Sequence, residues 1–478
     1  MNTIRFVLDD QIVTVDFNKV DYHPSTTVLN YLRSLPGHRG TKEGCGEGDC
    51  GACTIVLGEL EDGRIKYKAV NSCLLFLSAI HGKQVITIEN LAQQNGNEIK
   101  LHPVQQAIVE NYGSQCGFCT PGVIMTMFAL YKSDIEISKK NIIECLAGNL
   151  CRCTGYEPIS KAVIQACNNR QPDHFDDNEP KIKRMLLEIK EETKSKEIHT
   201  TQQRYFLPSN PEDALHFCIT YPLAYIVNGA TDTAIRQNKN YEFLPEIIDL
   251  SCVQEFKEIR IENNGIYAGA GVSLESFKKL IEEQLPQVSE LLEMFASWQI
   301  RNIATIGGNL ATSSPIGDLI PLFIVLRARL ELIDTEKSRW VDIEDFITGY
   351  RKNCLMPGEL LKGVFFPKPE NDIIIRSEKI STRRHLDIST LSIALRLKKD
   401  PENRIEEIIL AYGGLADRPK RADGTEKFLE GKILNESVIE QATLFIENDF
   451  TPISDARARA SYRIIAAKNL LIKLLLNQ

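Results

Sequence analysis

Residues 3–17 alternate between apolar and polar positions. Ile4, Phe6 and Leu8 share one face, and Val13, Val15 and Phe17 follow the turn Asp9–Asp10–Gln11. Alternation on both sides of a short polar turn predicts a β-hairpin. Ser25 or Thr26 is placed to cap a short helix ending near Arg33, and Thr54–Leu57 and Ile86–Ile88 read as further strands. Residues 1–90 thus read as a small α+β domain.

The period then becomes helical. Pro103–Tyr112 starts on a proline and stops at Gly113, the usual asymmetry of helix ends. Pro121 opens a run to Tyr131, and Ser138–Leu146 and Pro158–Cys167 complete four short helices, so residues 91–170 read as a small bundle. In 171–197, 14 of 27 residues are Asp, Glu, Lys or Arg, which predicts a solvated tether over 171–200, helical in part through Lys181–Lys190. From Tyr205 strands and helices mix around glycine turns at Gly229, Gly269–Gly271 and Gly307–Gly308. Ser289–Gln299 reads as a helix and Leu319–Leu326 as a buried element. The polar stretch Pro367–Asn371 marks a boundary, so 201–370 and 371–478 form separate regions. The last has strand-like runs at Ser389–Leu397 and Ile405–Tyr412 and then two helical segments.

Composition narrows the class. At roughly 150 residues per domain, 478 residues suggest about three domains. With 43% hydrophobic and 25% charged residues, each can bury a core. The net charge of −8 gives no general attraction to phosphate backbones, which argues against nucleic acid as a partner. Met1–Asp21 lacks the pattern of a secretory signal, and no apolar run approaches the ~18 residues of a membrane span. A cytoplasmic protein without a membrane partner is expected.

The 13 cysteines change the picture, because a cytosolic chain uses them for metal or redox work more than for disulfides. Nine fall between Cys45 and Cys153. Cys45, Cys50, Cys53 and Cys73 have the C-x4-C-x2-C…C spacing of plant-type [2Fe–2S] sites. Gly44, Gly46, Gly48 and Gly51 let that loop wrap tightly and bring backbone N–H groups near the sulfurs. A four-cysteine zinc site is the rival, but its usual unit is a pair of C-x2-C motifs. Cys116-x2-Cys119 with Cys151-x-Cys153 is, by spacing alone, open between zinc and iron–sulfur. Cys145 sits on an apolar helix face and reads as a buried structural thiol, as do Cys167, Cys218, Cys252 and Cys354.

The second half has no G-x-G-x-x-G and no Walker A sequence. Gly229–Thr233 follows a buried strand at Tyr225–Asn228. Thr305–Asn309 leads on to Thr312, Ser313, Ser314 and Asp318. Both turns are rich in glycine, hydroxyls and amides and lack lysine. They read either as pyrophosphate nests built from backbone donors or as ordinary turns. Arg383–Asp387 reads as a surface loop.

These residues together resemble a known family. Cys45–Cys53 with Cys73, Gln115-Cys-Gly-Phe-Cys-Thr-Pro-Gly122 and Cys151-Arg-Cys-Thr-Gly-Tyr156 are similar to the paired [2Fe–2S] domains of molybdenum hydroxylases. Gly229-Ala-Thr-Asp232, Arg301–Asn309, Ser314–Asp318 and Tyr412–Arg418 resemble the flavin region of that family's xanthine dehydrogenase branch. The likeness runs in order over nearly the whole chain.

It implies an α+β multidomain fold: a β-grasp plant-type ferredoxin domain, a four-helix [2Fe–2S] domain, a two-lobed α+β FAD-binding domain and a C-terminal α+β domain. It implies Cys45, Cys50, Cys53 and Cys73 as ligands of one [2Fe–2S] cluster, and Cys116, Cys119, Cys151 and Cys153 as ligands of another. It places FAD along Ile226, Val227, Asn228, Gly229, Ala230, Thr231, Asp232 and Thr233, with Phe295, Thr305, Ile306, Gly307, Gly308, Asn309, Asp318, Leu361 and Lys379 as further contacts. Tyr350 corresponds to a tyrosine on the nicotinamide side of the flavin. Gln115 and Cys153 lie where a pterin would approach, and Arg383–Asp387 corresponds to a mobile loop beside the flavin. There His385 and Leu386 stand where many relatives have acidic residues, and Asp232 stands where some have Glu.

The resemblance further implies an electron-transfer subunit without a catalytic residue for the substrate. Its partner would be a molybdopterin-binding large subunit, in a dimer of heterodimers, oxidising hypoxanthine or xanthine. Electrons would leave through both clusters and FAD to NAD. The same module serving an aldehyde or N-heterocycle hydroxylase, a stand-alone flavin reductase and a zinc-stabilised interaction protein are the competing readings.

Overall fold

A computed structural model describes residues 2–96, 98–191 and 194–476. The chain divides into two compact units. One is Met1–Val253 with Ser297–Ala304, and the other is Gln254–Ala296 with Thr305–Gln478.

The first unit opens with the expected hairpin, Thr3–Leu8 paired antiparallel with Gln11–Asp16. It belongs to a five-stranded sheet in the order Gln11–Asp16, Thr3–Leu8, Gln84–Ile86, Thr54–Glu61, Arg64–Asn71. Only the Thr3–Leu8 and Gln84–Ile86 pair is parallel. The expected strand at Ile86–Ile88 thus lies two residues earlier. The helix Val28–Ser34 lays Val28, Leu29 and Leu32 on the sheet core of Ile4, Phe6, Leu57 and Val70. Its cap is Thr27, not Ser25 or Thr26. Thr27 has the extended backbone a cap needs, and its hydroxyl accepts from Asn30 N at 3.2 Å. Ser25 instead bonds Gln203 and Gln237.

Four helices follow, Pro103–Glu110, Thr120–Tyr131, Lys139–Leu146 and Glu157–Asn168. Thr120–Tyr131 is the centre: every residue from Gly122 to Tyr131 is buried, so it is apolar all round rather than amphipathic. Burying each large side chain there contributes on the order of 1.5–3 kcal/mol.

The helix expected through Lys181–Lys190 is longer, the 18-residue His174–Glu191, and it is packed on the domain rather than part of a solvated tether. Its Ile182, Leu186 and Ile189 are buried with Val7 and Ile65, and Phe175 enters the core of the four-helix region. The charges that suggested a tether cover the outer face of an amphipathic helix. A small sheet completes the unit. Tyr225–Val227, Glu246–Asp249 and Arg204–Leu207 run parallel, and Lys196–His199 lies antiparallel at the edge.

In the second unit an antiparallel sheet runs in the order Ile259–Glu262, Gly265–Gly269, Leu360–Pro367, Arg329–Ile333, Ser338–Asp342. Leu319–Val325 is a fully buried helix, as its unbroken apolar run predicts. A second antiparallel sheet contains Ile373–Ile380, Leu391–Lys399, Ile405–Gly413 and Lys420–Arg421. Helices Glu436–Asp449 and Ala460–Leu476 close its core, and a further helix, Asp423–Leu429, precedes them. The single helix expected over Ser289–Gln299 is broken into Ser289–Met294 and Trp298–Arg301, because Ala296 takes a left-handed backbone with φ 53°. Among the described residues no helix is long and apolar enough to cross a membrane.

Candidate functional site

The first cysteine loop precedes the strand Thr54–Glu61, and Cys73 follows the strand Arg64–Asn71. Pairing of those two strands places Cys53 and Cys73 side by side, with sulfurs 3.3 Å apart. Cys45 and Cys50 form the other pair: Cys45 N donates to Cys50 Sγ at 3.3 Å. Three amides, those of Glu47, Asp49 and Cys50, donate to Cys45 Sγ at 3.4, 3.2 and 3.4 Å. Asn71 Nδ2 lies 3.8 Å from the Cys53 sulfur. The Cys50 side chain and these backbone amides draw the Cys45 thiol down to about 5, against the opposing effect of burial. Glycine is needed for this wrapping. Gly46 and Gly48 have φ of 67° and 83°, and a Cβ on Gly44 would stand 2.7 Å from Cys50 Sγ.

The second quartet hangs from helix ends. Cys119 is the N-cap residue of Thr120–Tyr131, and Cys151 and Cys153 lie on the loop before Glu157–Asn168. Again the thiols meet in pairs, Cys119 with Cys151 and Cys116 with Cys153. Burial and then the neighbouring Cys151 push the Cys119 thiol up to about 12. Cys151 is itself pushed up by burial, but the Thr154 hydroxyl and nearby amides prevail and hold it at about 7. The Thr154 hydroxyl lies 3.2 Å from Cys151 Sγ, and the Tyr156 hydroxyl accepts from Cys151 N at 2.9 Å.

Two pairs per quartet is the arrangement a binuclear cluster needs, because each iron takes two thiolates. A single zinc ion would draw four sulfurs to one point. Among the described residues no three His, Cys, Asp or Glu side chains gather as for one ion. The paired thiols and aimed amides therefore fit [2Fe–2S] groups. Cys145, Cys167 and Cys218 are buried, as expected of structural thiols, and Cys252 and Cys354 are partly buried.

The residues expected to line a flavin occur in both units. In the first, Tyr225–Val227 leads into Gly229, whose φ is 83° and whose Cβ would stand 1.9 Å from Ile303 O. Only glycine permits that approach. Ala230 also has a left-handed backbone, and Asp232 is the N-cap residue of Thr233–Asn240. Ile226 is 45% exposed, so the strand expected to be buried presents this side chain outward.

In the second unit, Thr305 caps Ile306–Thr312, its hydroxyl accepting from Gly308 N at 3.1 Å. Gly307 packs on Ala270, where a Cβ would lie 2.6 Å from the alanine methyl. Asn309 Oδ1 is buried with no hydrogen-bond partner among the described residues. An orphaned buried acceptor is expensive, by about 1–3 kcal/mol, unless a ligand satisfies it. Lys379 Nζ pairs with Asp318 at 2.8 Å, donates to Met294 O at 3.3 Å and lies 5.9 Å from the Phe295 ring centre. Phe295, Asp318 and Lys379 are thus gathered in one place, and Ser389, absent from the expected set, also donates to Asp318. Leu361 is buried in the strand Leu360–Pro367, and Tyr350 is 62% exposed. The loop Arg383–Asp387 is internally tied: Arg383 N and Nε donate to Asp387 at 2.7 and 2.8 Å, and Leu386 is buried with φ 73°.

Four family models match the chain in order. They are a 2Fe-2S iron-sulfur cluster binding domain over 13–78, a [2Fe-2S] binding domain over 87–164, an FAD binding domain in molybdopterin dehydrogenase over 198–369, and a CO dehydrogenase flavoprotein C-terminal domain over 376–478. The xanthine dehydrogenase of Drosophila subobscura is 31% identical over 473 residues, covering 87% of this chain and 35% of that protein. The xanthine dehydrogenase/oxidase of Rattus norvegicus is 31% identical over 501 residues, covering 94% and 37%. The chain belongs to the molybdenum hydroxylase family.

It is that family's iron–sulfur and flavin electron-transfer module, with two [2Fe–2S] clusters and FAD as cofactors. The module spans about a third of the length of the curated relatives it matches. Among solved structures, the reconstituted CO dehydrogenase from Oligotropha carboxidovorans has a chain 25% identical with a TM-score of 0.54. The match covers 57% of the module and 96% of that chain. The Cu,Mo-CO dehydrogenase in its cyanide-inactivated form gives 26% identity and a TM-score of 0.53, covering 56% and 94%.

Sequence reasoning missed two side chains at the contact of the cysteine loops: Asn149, which bonds Gly51 and Gln299, and Gln299, which also bonds Thr126. Asn149 stands two residues before Cys151, which is a signal. For Gln299, far along the chain, no local pattern gives one.

Proposed function

We propose that the module is the electron-exit part of a xanthine dehydrogenase, paired with a molybdopterin-binding large subunit that oxidises hypoxanthine or xanthine. The observation that carries this reading is the continuity of the match to xanthine dehydrogenases, which runs through cluster and flavin regions alike over 87–95% of the chain. In the CO dehydrogenase structure, a whole chain corresponds to little more than half of this one, which supports a family whose parts occur on separate chains.

When bound, the clusters supply one-electron carriage, and FAD joins it to two-electron chemistry. The chain's own residues hold these groups and set their surroundings. The paired cysteines would be the iron ligands. The amides of Glu47, Asp49 and Cys50 stabilise negative charge at Cys45. Ile226–Thr233, Thr305–Asn309, Phe295, Asp318, Leu361 and Lys379 would hold the flavin. Gln115, Cys116 and Cys153 are exposed, consistent with a face that a pterin-bearing partner approaches. The exposed Tyr350 and the loop Arg383–Asp387 would border the access of NAD. The rival within the family, an aldehyde or N-heterocycle hydroxylase, differs in residues of the partner.

The test assays the chain with its copurifying partner on xanthine against an aldehyde, and on NAD against oxygen. Xanthine-dependent reduction of NAD is expected. Turnover of the aldehyde alone contradicts the substrate, and turnover with oxygen alone contradicts the acceptor.

A further inference from the structure

The two cysteine loops touch each other through backbone. A Cβ on Gly51, between Cys50 and Cys53, would stand 2.2 Å from Gly148 O. One on Gly122, in the helix that follows Cys119, would stand 2.1 Å from Gly51 O. Leu150 N donates to Cys50 O at 2.9 Å, joining residues adjacent to or within each quartet.

Asn149 sits at this contact, buried, with its amide fully used. Its Nδ2 donates to Gly51 O at 3.1 Å and Thr54 Oγ1 at 3.3 Å. Its Oδ1 accepts from Thr126 Oγ1 at 2.7 Å and Gln299 Nε2 at 2.8 Å. Gln299 also donates to Thr126 Oγ1 at 2.9 Å, and its own Oε1 is buried with no partner among the described residues. A Cβ on Gly148 would meet that oxygen at 2.2 Å.

Gln299 belongs to Ser297–Ala304, which returns from far along the chain to join this unit. The same segment is anchored on both sides of the contact. Arg301 pairs with the buried Glu144 at 2.6 Å, and Asn302 Nδ2 donates to Ala69 O at 2.8 Å. A saturated buried amide holding backbone against backbone is rigid, because any displacement leaves several polar groups unpaired.

We infer that Gly122, Asn149 and Gln299 are positioning residues that gauge the separation of the two cysteine loops, and hence of the clusters they hold. The inference rests on the reading of both quartets as [2Fe–2S] sites. Two opposite perturbations follow from it. Gly122→Ala drives a methyl into Gly51 O and wedges the loops apart. Gln299→Ala, outside every cysteine motif, removes the clamp and leaves the loops slack.

The test uses the full chain, purified anaerobically, reduced with dithionite and read by low-temperature electron paramagnetic resonance. Iron content and melting temperature are measured alongside. With four irons per chain, two per cluster, the native protein should show splitting from the magnetic interaction of its two clusters. Both variants should weaken that splitting at unchanged iron content. Leu186→Ala, in the remote helix core, should lower the melting temperature and leave the splitting intact. Unchanged splitting in an iron-replete Gln299→Ala protein, or no splitting in the native one, overturns the inference. Absence of iron from the native protein instead defeats the cluster reading beneath it.

Discussion

The two cysteine quartets hold the same number of thiols in the same paired arrangement, but their surroundings are opposite. In the first, Cys53 and Cys73 are buried in a β-sheet core and Cys45 is ringed by backbone amides. In the second, Cys116 and Cys153 are exposed, and the donors near Cys151 are side-chain hydroxyls or amides of a short loop. The first is built into the fold of its domain, whereas the second enters the helical core only through Cys151, with Cys119 packed beside it, and leaves Cys116 and Cys153 at the rim. The lesson is that two different cysteine spacings reach the same paired arrangement, while the scaffold decides how much of the protein depends on it.

Replacing a ligand should break the comparison most strongly. Cys53→Ser removes a buried ligand and should lose one cluster signal together with much of the first domain's thermal stability. Cys116→Ser should lose only the other cluster signal, with a small change in melting temperature. It should also block reduction of FAD by substrate while sparing NADH–dye activity. Visible circular dichroism and a thermal melt of each variant check this.

Acid should act next, and on the first scaffold. Burial, with Lys196 nearby, holds the His81 imidazole down at about 4, and its Nε2 is buried with no partner among the described residues. In the unfolded chain the ring titrates near ~6.5, so the unfolded state binds the extra proton below that pH. His81 therefore leaves stability whole above about pH 6.5 and removes about 3 kcal/mol as the pH falls to ~4. Denaturant melts between these limits, with His81→Gln as the flattened control, measure it.

The glycines of the two loops give a smaller contrast. Gly51→Ala meets Gly148 O and also strains a φ of 68°, so a loss of about 2–3 kcal/mol is expected. Gly117 has a φ of 83° but open space around it, so Gly117→Ala should lose only about 1 kcal/mol. Chemical denaturation of the two iron-loaded variants separates strain from collision.

The least disruptive test is alkylation of iron-free protein, read by mass spectrometry. The exposed Cys116 should react ahead of the buried Cys53 and Cys73. Between pH 6 and 8 the rate at Cys45 should be flat, because its thiol at about 5 is already ionised. The rate at Cys119, with a thiol near 12, should rise with every step in pH.

Much of this was legible in the chain. The cysteine spacings and the proline-opened helices are local signals, and they appear where the pattern puts them. The strand Arg64–Asn71 was legible but overlooked: Ile65, Tyr67 and Ala69 alternate with Arg64, Lys66 and Lys68, the two faces of a half-exposed strand. In the charged run 171–197 the helix was legible only through Lys181–Lys190 and its packing not at all, because its few apolar residues, Phe175, Ile182, Leu186 and Ile189, are outnumbered though correctly spaced. The break at Ala296 and the return of Ser297–Ala304 to the first unit carry no local signal at all. They are decided by what Gln299 and Arg301 find there, the Asn149 amide and the Glu144 carboxylate.

The central claim is that eight cysteines hold two binuclear clusters in a chain that also holds a flavin. Its most direct test is the metal and flavin content of protein purified without oxygen. The account predicts a brown protein with four irons, two per cluster, and one FAD per chain. A colourless protein with about two zinc ions, one per four-cysteine set, and no flavin would contradict it.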